Sequence, residues 1–361
     1  MGVEVEMGLR MALLYGGQSG EHEVSVMSAA SVAQAISGKI EVLPIGITKK
    51  GQWVPGLAPE TLVASGQFEV SSSQTPAKDQ LVQNPSGFLL GFLRTQVDLV
   101  FPLLHGLRGE DGTVQGLLEL AGIPYIGGGV TASAVGMDKD MMKALFKQHD
   151  LPVGDYLVYR RHEWENAPDQ ISATIEARLG YPCFVKPANS GSSVGISKAH
   201  NQAELRQAFT LALTYDRKVA VEAFLDGHEI ECAVLGNDQP TASVPGEIVP
   251  GAEFYSYEDK YLKNDSELII PARLTPEQTA EIQTLAVKAF KAIDCAGMGR
   301  VDFFVLRADG RIIVNEINTI PGFTKISMYP KLWAASGIPY LALIERLAQL
   351  ALARFKDQHG G

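Results

Sequence analysis

Three apolar runs, Ala12–Tyr15, Glu41–Ile47 and Val97–Leu104, alternate with helical patterning over the first third of the chain, and this alternation most limits its fold. Val97–Leu104 is apolar throughout apart from Asp98, and Val24–Ile36 reads as a helix between the first two runs. Apolar strands linked through helices need both faces of a sheet covered, so a parallel α/β sheet is expected. Between the second and third runs lies Pro55–Phe88, rich in Ser, Gln, Pro and Gly. Within it, Ser71–Lys78 reads as a surface loop.

The full chain has 361 residues, too many for one core and enough for two or three units of ~150 residues. Helical patterning resumes at Thr131–Gln148, with Pro152 as a stop. A helix (Ile171–Leu179), strands (Cys183–Pro187 and Val194–Lys198), a helix (Gln202–Thr214) and a strand (Val219–Phe224) then suggest a small α+β unit. A third unit begins with strand alternation at Glu229–Leu235. Its helix opens at Thr275-Pro276-Glu277-Gln278, where Thr275 suits the N-cap and Gln278 completes a capping box. Val301–Leu306 and Arg311–Asn318 read as a hairpin, and Tyr340–Phe355 as an amphipathic closing helix. The expected units are 1–128, 129–222 and 223–361.

Composition narrows the function classes. Apolar residues make up 46% and charged residues 20%, as in ordinary globular chains rather than disordered ones. A net charge of −10 argues against a nucleic-acid partner, which needs clustered Lys and Arg. Bound phosphates would have to rely on a few placed cations, backbone N–H groups or a metal. Cys183, Cys232 and Cys295 are widely spaced in apolar surroundings, which points to a reducing cytoplasm rather than a disulfide framework. The N-terminus carries glutamates where a signal peptide needs basic residues, and no apolar run approaches ~18 residues, so no membrane partner is expected. The six residues before Met7 carry no structural pattern.

Glycine is the exception, at 36 residues or about 10% against a typical ~7%. The glycines bunch where backbone turns tightly or approaches a ligand. One bunch follows a lysine in Phe184-Val-Lys-Pro-Ala-Asn-Ser-Gly-Ser-Ser-Val-Gly195. A strand delivering Lys186 into this turn offers backbone N–H groups and the hydroxyls of Ser192 and Ser193 to phosphate oxygens. It is neither a P-loop nor a dinucleotide fingerprint.

The strongest chemical pattern is Arg300-Val301-Asp302 with Asn315-Glu-Ile-Asn-Thr-Ile-Pro-Gly322. By period-two alternation Ile312, Val314, Glu316 and Asn318 share one face. Apolar residues followed by oxygen ligands make a poor core but a good seat for a hard cation such as Mg²⁺. Asp302 joins them if it stands opposite Glu316, which leaves Ala308-Asp309-Gly310 as a three-residue loop.

These stretches resemble the ATP-grasp superfamily. More narrowly, the chain is similar from end to end to the D-alanine–D-alanine ligase family. Gly16-Gly-Gln-Ser-Gly-Glu-His-Glu-Val-Ser25, His105-Gly-Leu-Arg-Gly-Glu-Asp-Gly112, Met137-Asp-Lys139, Glu222-Ala-Phe-Leu-Asp-Gly-His-Glu229, Phe254-Tyr-Ser-Tyr-Glu-Asp-Lys-Tyr261 and Asn315–Thr324 carry the resemblance in the family's order. It implies a three-domain ATP-grasp architecture: an N-terminal parallel-sheet α/β domain, a small central α+β domain and a C-terminal α+β domain. It also implies ATP-dependent joining of two D-alanines through a D-alanyl phosphate, for peptidoglycan precursors.

The resemblance assigns roles as well. Asp302, Glu316 and Asn318 would hold two Mg²⁺ (or Mn²⁺) ions. Lys139 and Lys186 would hold the α- and β-phosphates, with Ser193 in the phosphate loop. Lys260, on a mobile loop near 250–266, would approach the γ-phosphate. Glu222 and Leu225 would meet adenine through backbone groups, and Glu229 the ribose. Glu21 would bind the first D-alanine's ammonium, with His105 beside that substrate; Ser192 would link Glu21 to Tyr261. Arg300 and the Gly322 N–H would face the oxyanion, and Ser327 the second carboxylate. Tyr261 within Glu258-Asp-Lys-Tyr261 implies an amine acceptor rather than D-lactate. Members are usually homodimers.

Overall fold

A computed structural model of the chain describes residues 8–66, 68–70, 91, 93–191, 194–249 and 267–360. Ser71–Lys78, Ser192, Ser193, Lys260, Tyr261, the loop near 250–266 and the first six residues lie outside the described residues.

Strands β1 (Arg10–Gly16), β2 (Glu41–Ile47), β3 (Trp53–Pro55) and β4 (Leu99–Pro102) form the first sheet, in the order β3-β2-β1-β4. β2 and β4 run parallel to β1, and β3 adds a short antiparallel edge. Side chains alternate along β1 as strand geometry requires. Met11, Leu13 and Tyr15 pack with helix His22–Ile36, whereas Ala12 and Leu14 pack with Val114 and Leu118 of helix Thr113–Ala121. This is the doubly covered sheet that the apolar runs require. The closing helix, Tyr340–His359, returns to the first sheet. Its Leu343, Ile344 and Leu347 join the cluster holding Met11, Leu13, Leu99 and Phe101.

The second sheet is antiparallel, ordered β5-β8-β6-β7, from β5 (Tyr156–Arg160), β6 (Cys183–Pro187), β7 (Ser197–Ala199) and β8 (Lys218–Ala223). Helices Pro168–Leu179 and Gln202–Tyr215 cover one face through Ile171, Ile175, Leu205 and Phe209. The helical pattern expected over Thr131–Gln148 is two helices, Val130–Met137 and Lys139–Gln148. Asp138 separates them in extended conformation. Its carboxylate caps the second helix, accepting from the N–H groups of Asp140 at 3.1 Å and Met141 at 3.2 Å.

The third sheet contains β9 (Gly227–Gly236), β10 (Thr241–Ala242), β11 (Gly246–Val249), β12 (Glu267–Ile269), β13 (Gly297–Leu306) and β14 (Ile312–Asn318), with β9 and β13 central. Helix Pro276–Ala292 backs it and carries the expected capping box between Thr275 and Gln278.

The β13–β14 hairpin differs from expectation in a way that shapes the site. Near its tip Val305 faces Ile312 and the Leu306 N–H bonds Arg311 O, so the turn is Arg307–Gly310 and not the three-residue Ala308–Gly310. The ladder then slips between Asp302 and Phe303. Asp302 faces Glu316 as expected, and Asn315 is the extra residue of a β-bulge. The shared face expected for Ile312, Val314, Glu316 and Asn318 is therefore corrected. Ile312, Val314 and Ile317 enter the core with Val301, Phe303 and Val305. Glu316 and Asn318 line the opposite side with Arg300 and Asp302. Strict alternation misses this because one inserted residue inverts every face beyond it.

Candidate active site

Glu21 immediately precedes helix His22–Ile36 and is almost fully buried. Its carboxylate lies against bare backbone. A Cβ at Gly106 would sit 2.8 Å from Glu21 Oε2, and one at Gly191 would sit 3.1 Å away. Gly106 belongs to the turn after β4 and Gly191 to the glycine-serine turn, so the first two sheets meet at this carboxylate.

His105 follows β4 at the carboxyl edge of the sheet, where open α/β sheets place ligands. Its Nδ1 lies 3.1 Å from Ile320 O, and its Nε2 3.2 Å from Ser28 Oγ. A carbonyl only accepts, so Nδ1 carries the hydrogen and Nε2 accepts from Ser28. Ser28 Oγ in turn accepts the Phe323 N–H at 3.4 Å. Burial holds the imidazole below its ordinary basicity although Glu21 pulls the other way. A neutral histidine and a serine thus clamp the turn that carries Gly322. Phe323 anchors the same turn by meeting Phe101 edge to face at 5.3 Å. Glu110 accepts the Gly106 N–H at 2.6 Å. Burial and then Glu21 push its carboxyl well above the usual range.

On the second sheet, Lys186 projects from β6 and Glu222 from the adjacent β8, with Lys186 Nζ 2.8 Å from Glu222 Oε2. Lys139 begins the helix capped by Asp138 and donates to Ser190 O at 2.7 Å. Lys218 bonds both Asp138 oxygens at 2.7 Å, and Asn189 donates to Asp138 at 3.3 Å, tying that helix start to the glycine-serine turn. Burial opposes charge on Glu222, yet Lys143 and Lys186 outweigh it and hold the carboxyl down to about 2. Burial lowers Lys139 despite Glu316; for Lys186 the same penalty is exceeded by Glu222 and Glu316, which raise it.

On the third sheet, Arg300 donates from Nε and Nη2 to the two oxygens of Asp302, each at 2.7 Å. Glu231 Oε2 stands 3.1 Å from Arg300 Nε, and Asn318 Nδ2 donates to Asp302 Oδ2 at 3.0 Å. Burial disfavours the guanidinium's charge, but Asp302 and Glu231 hold it well above the ordinary value. Two carboxylates and an amide gathered where a cation already rests suit a hard divalent ion. Among the described residues no three His, Cys, Asp or Glu side chains form a metal cage by themselves. Asp302, Glu316 and Asn318 line the cavity together, and their oxygens are of the kind a hard ion takes. Ser327 begins helix Met328–Ala335, and its hydroxyl lies 3.2 Å from where a Gly322 Cβ would be.

Every predicted site residue within the described residues lines one cavity of about 870 Å³: Glu21, His105, Lys139, Lys186, Glu222, Leu225, Glu229, Arg300, Asp302, Glu316, Asn318, Gly322 and Ser327. Four residues that line this cavity or brace its lining were missed, and each had a periodic or motif signal. Lys143 is four residues after Lys139, on the same helix face. Glu231 is two after Glu229 on a strand. Ser28 is seven after Glu21 on the helix, and Glu110 sits inside the His105–Gly112 motif.

Comparison with known proteins gives the family. Residues 10–128 match the family described as D-ala D-ala ligase N-terminus, and residues 145–349 that described as D-ala D-ala ligase C-terminus. The D-alanine–D-alanine ligase of Ruminiclostridium cellulolyticum is 50% identical over 362 residues, covering 96% of each chain. That of Halothermothrix orenii is 52% identical over 345 residues, covering 95% of this chain and 98% of the relative. Among solved structures, the VanG D-Ala:D-Ser ligase of Enterococcus faecalis superposes with a TM-score of 0.82 at 37% identity, covering 95% of this chain and 99% of its own. The D-alanine–D-alanine ligase of Coxiella burnetii gives 0.77 at 35% identity, covering 97% of both.

Proposed function

The chain belongs to the D-alanine–D-alanine ligase family, and we propose that its cavity joins two D-alanines with ATP to give D-alanyl-D-alanine, ADP and phosphate, for peptidoglycan precursors. One observation carries the residue assignments: Glu21 at the start of the helix that follows β1, Lys186 on the second sheet and the Arg300–Asp302–Glu316 group on the third line one cavity. ATP lies between the second and third sheets, its phosphates against Lys139 and Lys186 and its ribose at Glu229. Adenine meets the backbone at Glu222 and Leu225, where β8 ends and the link to β9 begins. Lys260 and Ser193 complete the phosphate contacts. Asp302, Glu316 and Asn318 would hold the two Mg²⁺ or Mn²⁺ ions, which would supply charge to neutralise the phosphates.

Glu21 holds the ammonium of the first D-alanine beside His105, and Ser192 and Tyr261 close over it. The substrate carboxylate attacks the γ-phosphorus and ADP leaves, giving D-alanyl phosphate. The second D-alanine rests its carboxylate on Ser327 and the N-terminus of helix Met328–Ala335, an end that favours anions. Its amine, once deprotonated, attacks the acyl carbon. Negative charge on the former carbonyl oxygen is met by Arg300 and the Gly322 N–H, and phosphate departs. A donor so placed is worth ~3–4 kcal/mol in related acyl chemistry.

A homodimer, carried over from the family resemblance, is part of this reading. So is a cytoplasmic location. Its three cysteines are buried and free, as a reducing compartment favours, and no helix of the described residues is long and apolar enough to cross a membrane. The test combines protein, ATP, Mg²⁺ and D-alanine and follows ADP and dipeptide. D-Alanine-dependent ADP release with dipeptide is expected, and its absence would sink the proposal. Adding D-serine or D-lactate reads the acceptor, and D-lactate outcompeting D-alanine at neutral pH would contradict an amine acceptor.

A further inference from the structure

Lys143 is a buried cation that the reaction leaves unused. It is 3% exposed, does not line the cavity, and lies one helical turn beyond Lys139. Its Nζ donates to Asn315 O at 3.0 Å and stands 3.4 Å from Glu222 Oε1. Both partners occupy special positions. Asn315 is the inserted residue of the β14 bulge, without a register partner on β13, and it directly precedes Glu316. A carbonyl at a disrupted ladder needs a partner from elsewhere, and Lys143 supplies one. Glu222 grips Lys186 through its other oxygen at 2.8 Å. One ammonium group therefore touches the bulge that turns Glu316 into the cavity and the carboxylate that holds Lys186.

We propose that Lys143 is a positioning residue. From behind the cavity wall it keeps the bulge at Asn315 in register with the Glu222–Lys186 pair, so that metal and nucleotide phosphates meet at a fixed spacing. The inference rests on the assignment of Glu316 to metal and Lys186 to phosphate. Two physical consequences follow from removing the ammonium. The Asn315 carbonyl loses its donor, which frees the bulge to relax. Among the described residues Glu222 then keeps Lys186 alone as an ion-pair partner, which draws that lysine away from phosphate. Metal and nucleotide should then bind less cooperatively, although neither touches Lys143.

Lys143→Met keeps the length and apolar stem while removing the donor. The double variant Lys143→Met/Glu222→Gln avoids leaving a buried carboxylate short of a cation. ADP titrations by calorimetry, with and without Mn²⁺, measure how far each ligand strengthens the other. Free Mn²⁺, followed by electron paramagnetic resonance at saturating ADP, gives a second value. For folded Lys143→Met, the Mn²⁺-dependent gain in ADP affinity should shrink about tenfold or more, with KM for D-alanine within about threefold of wild type. Coupling within twofold of wild type would overturn the proposal. So would failure of both variants to fold, since Lys143 would then serve stability alone. Glu316→Ala, titrated in parallel, separates the premises: if it keeps wild-type Mn²⁺ affinity, the metal assignment itself is wrong. Loss there with unchanged coupling in Lys143→Met removes only the role given to Lys143.

Discussion

Asp302 and Glu316 face one another across β13 and β14, one step before the ladder slips at Asn315. That slip sends Ile312 and Val314 into the core and Glu316 into the cavity. Arg300 already rests on Asp302, so the same pair defines where positive charge gathers.

Glu231 is the second carboxylate on Arg300 and faces Asp302 across β9 and β13. On the proposed assignment of Asp302 to metal, Glu231 remains to aim the guanidinium. Glu231→Gln should lower kcat about tenfold while leaving KM for ATP within about threefold, the pattern of a contact that matters mainly in the transition state. Steady-state kinetics at saturating D-alanine check this; an unchanged kcat would remove Glu231 from that role.

Gly106 has φ +75° and lies against Glu21. Gly106→Ala adds a Cβ 2.8 Å from Glu21 Oε2 and a left-handed backbone penalty of ~1–2 kcal/mol. The carboxylate must then move. KM for the first D-alanine should rise about tenfold or more, with ADP affinity retained. A variant with wild-type D-alanine dependence would show that Glu21 does not hold the ammonium.

Glu247 offers a pH test away from the cavity. Its bonds to Arg273 hold the carboxyl down to about 2; burial opposes this, and a His228 contact assists. The folded value lies below the unfolded ~4.3, so this stabilisation is complete above that value and is lost as pH falls towards 2. Relative to Glu247→Gln, the wild-type advantage in urea unfolding should be constant from pH 7 to about 5 and narrow below that. An advantage at pH 2.5 as large as that at pH 7 would contradict the assignment.

Much of this was legible in the sequence because it depends on local chemistry. The doubly covered first sheet follows from continuous apolar runs, and the Thr275–Gln278 cap from its four residues. Lys186 and the start of the glycine-serine turn, singled out by their spacing, line the cavity. Three things escaped. Asp138 divides one helical pattern into two because a carboxylate can cap backbone N–H groups as well as sit on a helix. The bulge at Asn315 escaped because one extra residue changes the face without changing composition. The Ser28–His105–Ile320 clamp joins residues 77 and 215 positions apart, and no local pattern encodes such a meeting.

Glu316→Ala is the most direct test of the claim that the Asp302–Glu316 pair is the reacting centre. Dipeptide formation from ATP and D-alanine should fall by at least about a hundredfold, with the circular dichroism spectrum and thermal midpoint close to wild type. Dipeptide formation within about threefold of wild type, in a variant folded by those criteria, would contradict it.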